Sequence, residues 1–194
     1  MIIAIDPGNI DSAYCVIGSD YRPLEFDKCE NDMLLGRLKH IMSTRNDIDS
    51  VVIEMVASYG MAVGKEVFET CVWIGRLLQF FDGYKVFKRR ITRLEVKSNI
   101  CHAGNARDSN VRQALVDRFA KHDLKRGKGT KKDPDWFYGF SEDVWAAYAL
   151  GVTALDTDEP AYKEIEDDVM RCSKCGKLVC SWDITCPRCG AVFR

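Results

Sequence analysis

The chain has 194 residues, of which 46% are hydrophobic and 29% charged, and its formal net charge is −1. This length allows one or two small domains with a real core, and the composition excludes a disordered or collagen-like chain. No stretch approaches the roughly 20 apolar residues of a membrane-spanning helix, and an acid, Asp6, comes too early for a signal peptide. The sequence therefore predicts a cytoplasmic globular protein that does not bind a membrane.

The first half of the chain has the patterns of alternating strands and helices. The opening IIAID is an apolar run that ends in an acid before Pro7-Gly8, which is typical of a buried strand ending at Asp6. The run SVVIEM is rich in β-branched residues, which suit a buried parallel strand. In chain order we predict strands over 2–6, 12–18 and 21–26, a helix over 31–42, a strand over 50–55 and a helix over 65–81.

The second half is predicted to be mainly helical. A short strand over 84–87 precedes helices over 93–100 and 108–121, and the polar, Gly-containing segment 125–135 predicts a mobile surface loop. The last helix, over 141–155, begins at a Ser141 N-cap, and its small-residue run AAYALGVTAL would let it pack closely on a sheet. We expect a domain over 1–155, an acidic linker over 156–169 and a small second domain over 170–194.

Positive charge is concentrated in one part of the chain. Residues 85–132 contain fifteen Lys or Arg against four acids, an excess of eleven, and the rest of the chain has an excess of twelve acids. Such a block attracts phosphate backbones through counterion release, although a solvated basic surface would have the same composition. The candidate nucleic-acid contacts are Arg89, Arg90, Arg93, Lys97, Arg107 and Arg112.

Four cysteines near the end of the chain have the spacing of metal ligands. They form two C-x2-C pairs separated by ten residues, and a Gly follows each pair. Four thiolates at this spacing are typical of a closed structural zinc site, and so short a segment needs the metal to fold. Free thiols or a redox pair are the alternative, and Cys180 is left over. The predicted zinc ligands are Cys172, Cys175, Cys186 and Cys189.

Three acids stand where a catalytic site would form. Asp6 and Glu54 lie at or near the carboxyl ends of predicted strands, the edge where open α/β sheets place ligands. Asp143 lies in the first turn of the last helix, which can bring a third carboxylate to the same edge. Together they could hold Mg²⁺, and two ions would support phosphodiester hydrolysis. Each acid also has a structural explanation, as part of a turn, a solvated strand end or a partner of the helix dipole.

Four blocks in this order resemble the RuvC-type Holliday junction resolvases of the RNase H-like superfamily, most of all phage-encoded members. They are IIAIDPGNIDSAYCVI, VVIEM, TRLEVKSNICHAGNARDSNVRQALVDRF and YGFSEDVWAAYALGVTA. The resemblance covers residues 1–155 and implies an α/β fold with a mixed five-stranded sheet flanked by helices. It also implies a homodimer, Mg²⁺ or Mn²⁺ at the matching acids Asp6, Glu54 and Asp143, and cleavage of branched DNA in a bacterial cell or a phage-infected host.

The last helix departs from the family pattern. Bacterial resolvases usually have two acids three residues apart there, whereas position 146 is Ala in this chain, so Glu142 or a water would replace the fourth ligand. They also lack a terminal zinc ribbon.

A transposon-type RuvC nuclease is an alternative, although the short length and the ribbon after Asp143 argue against it. The missing fourth acid also suits a junction-binding protein without catalysis, whereas an actin-like ATPase would need a longer chain with two such domains. No small-molecule cofactor is predicted.

Overall fold

The computed structural model describes residues 1–57, 60, 63–157, 169–171, 174, 178–180 and 192. The chain divides into two units, Met1–Thr157 and Asp158–Arg194. In the part of the chain that is described, no helix combines the length and the apolar character needed to cross a bilayer.

The first unit is built on a five-stranded sheet with the strand order β3-β2-β1-β4-β5. β1 (Ile2–Asp6), β2 (Asp11–Ile17) and β3 (Pro23–Glu30) form an antiparallel meander. On its other side β1 runs parallel to β4 (Ser50–Met55), which runs parallel to β5 (Phe87–Thr92). The predicted α/β class with a mixed five-stranded sheet is therefore confirmed.

Helices cover both faces of this sheet. Within the described residues they are α1 (Asn31–Thr44), α2 (Lys65–Phe81), α3 (Arg93–Cys101), α4 (Asp108–Phe119) and α5 (Glu142–Asp156). Apolar side chains of α1 and α2 form one core with one face of the sheet, and those of α3, α4 and α5 form a second core with the other face. These helices and the first four strands confirm the predicted elements, with bounds that differ by four residues at most.

α5 packs closely on the centre of the sheet because its residues there are small. A Cβ on Gly151 would lie 2.3 Å from Cδ1 of Ile17 and 3.0 Å from Cβ of Ala4. Ala147 and Ala149, in the same helix, are also fully buried. The close packing that the small-residue run predicted is confirmed, and it holds the first turn of α5 in a fixed place above the sheet.

The predicted strand over 84–87 is wrong. β5 begins at Phe87, whereas the ring of Tyr84 packs against Phe80, with the two centroids 5.2 Å apart. The sequence FKRRIT did not suggest a strand because its middle is three consecutive cations. A charged edge strand is physically acceptable when one inward residue anchors it, and Ile91, which is 1% exposed, does so here.

The segment 125–135 is a surface loop, as predicted, and it contains internal hydrogen bonds that the sequence did not indicate. Gly129 and Pro134 form an antiparallel bridge, and the Thr130 N–H donates to the Asp133 carbonyl at 2.9 Å. The segment is therefore a short hairpin held by internal hydrogen bonds. Its polar composition suggested mobility because the sequence alone does not reveal these bonds.

The second unit is described at only a few positions. β6 (Val169–Arg171) pairs antiparallel with β7 (Leu178–Cys180), with Val169 opposite Cys180. The four predicted zinc ligands, Cys172, Cys175, Cys186 and Cys189, lie outside the described residues. The zinc ribbon therefore stays a prediction.

Candidate active site

Asp6 and Glu54 lie side by side on the face of the sheet that α5 covers. Successive side chains of a strand point to opposite faces, and Ala4 packs in the core beneath α5, so Asp6 points to that face too. Ile5 of β1 is paired with Ile53 of the parallel strand β4. The next residues, Asp6 and Glu54, are thus level with each other on strands about 4.8 Å apart.

The same row of residues extends across the sheet. Asp6 pairs with Ala13 of β2, and Ala13 pairs with Lys28 of β3. On the other side Glu54 pairs with Ile91 of β5. Since Ala13 places only a methyl group between Asp6 and Lys28, the first turn of α5 has space above β2.

α5 brings Asp143 to this row. Asp6 and Asp143 line one cavity of about 330 Å³, and Ala146 and Trp145 of α5 form part of its wall. Glu142 is the first residue of α5, but its side chain lies outside what the structure describes. Two of the three predicted carboxylates therefore face a common space, and the third, Glu54, is next to it in the sheet.

A further carboxylate, Asp108, lies on the same cavity. It is the first residue of α4, and sequence reasoning missed it because an acid at a helix start has an ordinary explanation in the helix dipole. Ala146 of α5, at the position where the sequence comparison expected an acid in bacterial resolvases, also faces this cavity and carries only a methyl group. The cavity thus has its additional acid on α4 in place of α5.

Arg93 is the central cation of the site. Its Nη1 donates to Oε2 of Glu54 at 3.2 Å, and its Nη2 lies 3.2 Å from Oδ1 of Asp108. Nζ of Lys97 lies 3.3 Å from the same oxygen of Asp108. Arg93 begins α3, whose N-terminus is fixed by a reciprocal capping box between Thr92 and Glu95. The capping box therefore fixes the backbone of Arg93, whose guanidinium lies between the two acids.

Lys28 pairs with Asp143 from the opposite side. Its Nζ lies 2.6 Å from Oδ2 of Asp143, and both side chains are about half exposed. Sequence reasoning missed Lys28 as well, because its position in this row depends on the register of β3 against β2.

Burial disfavours the ionisation of both acids at the centre of the site, and for Asp6 the neighbouring Glu54 adds to this effect. Burial raises the pKa of Asp6 to about 7, with a further contribution from the neighbouring Glu54, while Arg93 acts in the opposite direction. Burial also raises the pKa of Glu54, again against the opposing effect of Arg93. A cation bound among these carboxylates would relieve this repulsion.

In the described ranges, no three acidic, histidine or cysteine side chains stand close enough together to enclose a metal ion. Arg93 joins Glu54 to Asp108, and Lys28 holds Asp143, so side-chain cations occupy the carboxylates in this structure. Metal binding by Asp6, Glu54 and Asp143 accordingly stays a prediction.

A buried polar network fixes the turn that follows Asp6. The Ser12 hydroxyl accepts hydrogen bonds from the Gly8 N–H at 3.2 Å and from Nε1 of Trp73 at 2.9 Å, and it donates to Oδ1 of Asn31 at 2.6 Å. Nδ2 of Asn31 in turn donates to the carbonyl of Gly8 at 3.1 Å. The strand end that carries Asp6 is therefore held in place by α1 and α2.

Most of the predicted phosphate contacts are engaged within the protein. Arg93 and Lys97 pair with acids, Nη1 of Arg89 donates to the carbonyl of Thr157 at 3.3 Å, and the Arg112 guanidinium lies 5.5 Å from the ring centroid of Trp145. The two exposed members of the set are Arg90 and Arg107. The predicted surface is thus partly a network of internal contacts.

Comparison with known proteins gives matches by structure alone. No family model and no curated protein matches the sequence. Thermus thermophilus RuvC matches with 17% identity and a TM-score of 0.56, over 78% of this chain and 91% of that chain. T. thermophilus RuvC in complex with a Holliday junction substrate matches with 16% identity and a TM-score of 0.57, over 78% and 90%. The fowlpox virus Holliday junction resolvase matches with 15% identity and a TM-score of 0.47, over 80% of this chain and 97% of that chain. The likeness to RuvC shows a shared fold.

Proposed function

We propose that this protein is a metal-dependent endonuclease that cleaves branched DNA such as Holliday junctions. The observation that carries the proposal is the placement of Asp6 level with Glu54 on adjacent parallel strands, with Asp143 across one cavity from Asp6. This placement occurs on a fold shared with T. thermophilus RuvC, which has been solved with a Holliday junction substrate.

The donor set fits a hard divalent cation. Carboxylate oxygens are the ligands that Mg²⁺ and Mn²⁺ prefer, and the mutual repulsion of Asp6 and Glu54 favours a bound cation. Two ions held by Asp6, Glu54 and Asp143 would supply a hydroxide nucleophile and neutralise charge on the scissile phosphate. The further ligand proposed from the sequence is Glu142 or a water, and Asp108 is the carboxylate that the cavity itself offers.

The cations of the site would exchange partners when DNA binds. Arg93, Lys97 and Lys28 neutralise carboxylates in the free protein, and phosphate oxygens are equivalent anionic acceptors. Because arginine can hold phosphate with two parallel hydrogen bonds, Arg93 would orient the DNA backbone beside Asp6 from the capped start of α3.

A homodimer would match the substrate. A two-fold axis presents the same site twice, and a four-way junction has two strands of equivalent geometry to be cut. We therefore propose paired, symmetric nicks that leave 5′-phosphate ends.

One observation favours a second candidate function, that of a junction-binding protein without catalysis. Side-chain cations occupy Glu54, Asp108 and Asp143, and no group of three metal-ligating side chains is assembled among the described residues. If those ion pairs persist in the presence of metal, the site would bind DNA and leave it intact.

The deciding experiment is incubation of the purified chain with labelled four-way junctions, flaps and duplexes, with and without Mg²⁺ or Mn²⁺. We expect paired nicks in junctions that require the metal, and loss of nicking with retained binding in Asp6→Asn. Asp32→Asn, which changes an exposed acid of α1, is the matched control. Binding without any nicking by the wild type would support the second candidate, and equal cutting of flaps would indicate a general debranching nuclease.

The four cysteines of the second unit carry a separate proposal. We propose that Cys172, Cys175, Cys186 and Cys189 hold a structural Zn²⁺, because their spacing is that of a four-thiolate site. Such reduced thiolates suit a cytoplasmic location. One zinc per chain in the purified protein, lost when the cysteines are replaced, is the expected measurement.

A further inference from the structure

The loop between α4 and α5 carries a group of exposed cations. We call residues 121–135 the basic loop. Its exposed cations form no ion pair in the parts of the chain that the structure describes. They are Lys121, Lys125, Arg126, Lys131 and Lys132.

Two acids of the basic loop accept hydrogen bonds from its backbone, and a third, Asp133, is exposed. Asp123 accepts hydrogen bonds from the N–H groups of Arg126, Lys128 and Gly129 at 3.0 to 3.1 Å. The buried Asp135 accepts from four more N–H groups at 2.7 to 2.9 Å, those of Lys121, His122, Asp123 and Trp136. The loop therefore combines acids that shape its backbone with cations that face solvent.

The end of the basic loop is a tight hairpin. The N–H of Asp135 donates to the carbonyl of Lys128 at 3.0 Å, and the N–H of Asp133 donates to Oγ1 of Thr130 at 3.2 Å. Gly129 has a φ of +65°, and a Cβ there would lie 2.4 Å from the Asp133 carbonyl oxygen, so the turn needs glycine. Lys131 and Lys132 occupy the tip, and their side chains take no part in these bonds.

The base of the loop is fixed to the helix that carries Asp143. The Phe137 N–H donates to the carbonyl of Gly127 at 2.8 Å, and Nζ of Lys128 donates to the carbonyl of Phe140 at 2.5 Å. The ring of Phe137 packs against Trp145 with the centroids 4.3 Å apart. Phe140, which is 2% exposed, precedes Asp143 by three residues. The basic loop is therefore anchored beside the candidate active site.

We propose that the basic loop is a preformed binding surface for the phosphate backbone of a DNA arm next to the cleaved phosphate. The proposal rests on the proposed function. Unlike Arg93 or Lys97, the exposed lysines of the loop pair with no carboxylate among the described residues, so phosphate would not have to displace one of these. The hairpin is already ordered, so binding costs less conformational entropy. Phosphate contacts carry no base information, so the contribution is independent of sequence and weakened by salt.

The test compares two double variants that each remove two exposed lysines. Lys131→Ala with Lys132→Ala changes the tip of the hairpin, and Lys39→Ala with Lys85→Ala changes exposed lysines on α1 and before β5. The measurement is the dissociation constant of the protein for a four-way junction, without metal, at salt concentrations from about 50 to about 300 mM, which bracket the physiological value. We plot the logarithm of the dissociation constant against the logarithm of the salt concentration. We expect the slope to decrease in magnitude by about 2 in the tip variant and to stay unchanged in the control variant.

A second pair, Lys125→Ala with Arg126→Ala, checks the neighbouring turn and should give a similar decrease. An unchanged slope in both loop variants, or an equal decrease in the control variant, would overturn the proposal. Metal-dependent cutting by the wild type is measured in parallel. If the wild type binds with the expected salt dependence but never cuts, the proposed endonuclease fails while the binding surface stands. If it shows no salt-dependent binding of DNA, both fail.

Discussion

The cavity lined by Asp6 and the basic loop differ in the groups that stabilise their carboxylates. In the cavity, carboxylates form ion pairs with side-chain cations: Arg93 pairs with Glu54, and Lys28 pairs with Asp143. In the basic loop, backbone N–H groups donate hydrogen bonds to the carboxylate of Asp135. Side chains can exchange partners, whereas backbone groups hold the chain in its fold. The difference teaches that Glu54 and Asp143 are held by contacts that can be exchanged, whereas Asp135 is held by the fold itself.

Replacing Asp135 should have the largest effect on stability. In Asp135→Asn an amide NH₂ would face backbone N–H groups that need an acceptor, so we expect a loss of about 2 to 4 kcal/mol in the free energy of unfolding. Urea unfolding followed by circular dichroism measures the change. Asp133→Asn, which alters an exposed acid of the same hairpin, is the control. A loss below about 0.5 kcal/mol in Asp135→Asn would contradict a structural role.

The same carboxyl predicts a pH dependence. Burial alone would raise the pKa of Asp135, but its backbone hydrogen bonds outweigh burial and hold the pKa well below its usual range. A depressed pKa contributes stability above the unfolded-state value of about 4, and that stability is lost as the pH falls further. The stability difference between wild type and Asp135→Asn should therefore be constant from pH 7 to 5 and shrink below pH 4. A constant difference down to pH 3 would show that ionisation is irrelevant.

Replacing Arg93 should have an intermediate effect that metal reverses. Without Arg93, the largely buried Glu54 loses its cation, so Arg93→Ala should unfold about 1 to 3 kcal/mol more easily in metal-free buffer. Because Glu54 is then free to bind a cation, millimolar Mg²⁺ should stabilise the variant more than the wild type. Thermal melting with and without Mg²⁺ measures both. Arg90→Ala, on the exposed side of β5, should show neither change, and an identical Mg²⁺ response in Arg93→Ala would argue that Glu54 is not a ligand.

Replacing Lys28 should have the smallest effect. Its pair with Asp143 is half exposed on both sides, and such pairs contribute at most about 1 kcal/mol and weaken with salt. We expect Lys28→Ala to melt within a few degrees of the wild type, with the difference disappearing in high salt. A double-mutant cycle with Asp143→Asn gives the pair energy directly. A coupling well above 1 kcal/mol would place Lys28 with the structural contacts and not with the exchangeable ones.

Much of the fold and the centre of the site could be predicted because the determining patterns are local. The run IIAID has the apolar character of a buried strand and ends in Asp6. The run SVVIEM has the same character and carries Glu54 one residue before its end. The small residues of α5 indicated its close contact with the sheet, which placed Asp143 over the same edge. Each of these inferences needed only periodicity and residue size.

The ion pairs could not be predicted because they depend on relationships between distant elements. Lys28 reaches Asp143 through the register of β3 against β2. Asp108 reaches the cavity through the packing of α4, and Arg93 joins the two acids through the cap of α3. β5 was misplaced because its three cations hide a strand. The hairpin of the basic loop was missed because a buried carboxylate and a solvated one look alike in a sequence.

The two outer strands of the sheet have a consequence for how the protein behaves when it is concentrated. β5 carries Lys88, Arg89 and Arg90 in succession, and β3 has charged residues at four of its eight positions. A neighbouring copy adding to β5 would bring its cations close to like charges, which opposes strand-to-strand aggregation at that edge. The cations that hid this strand in the sequence thus act as gatekeepers against aggregation at high concentration.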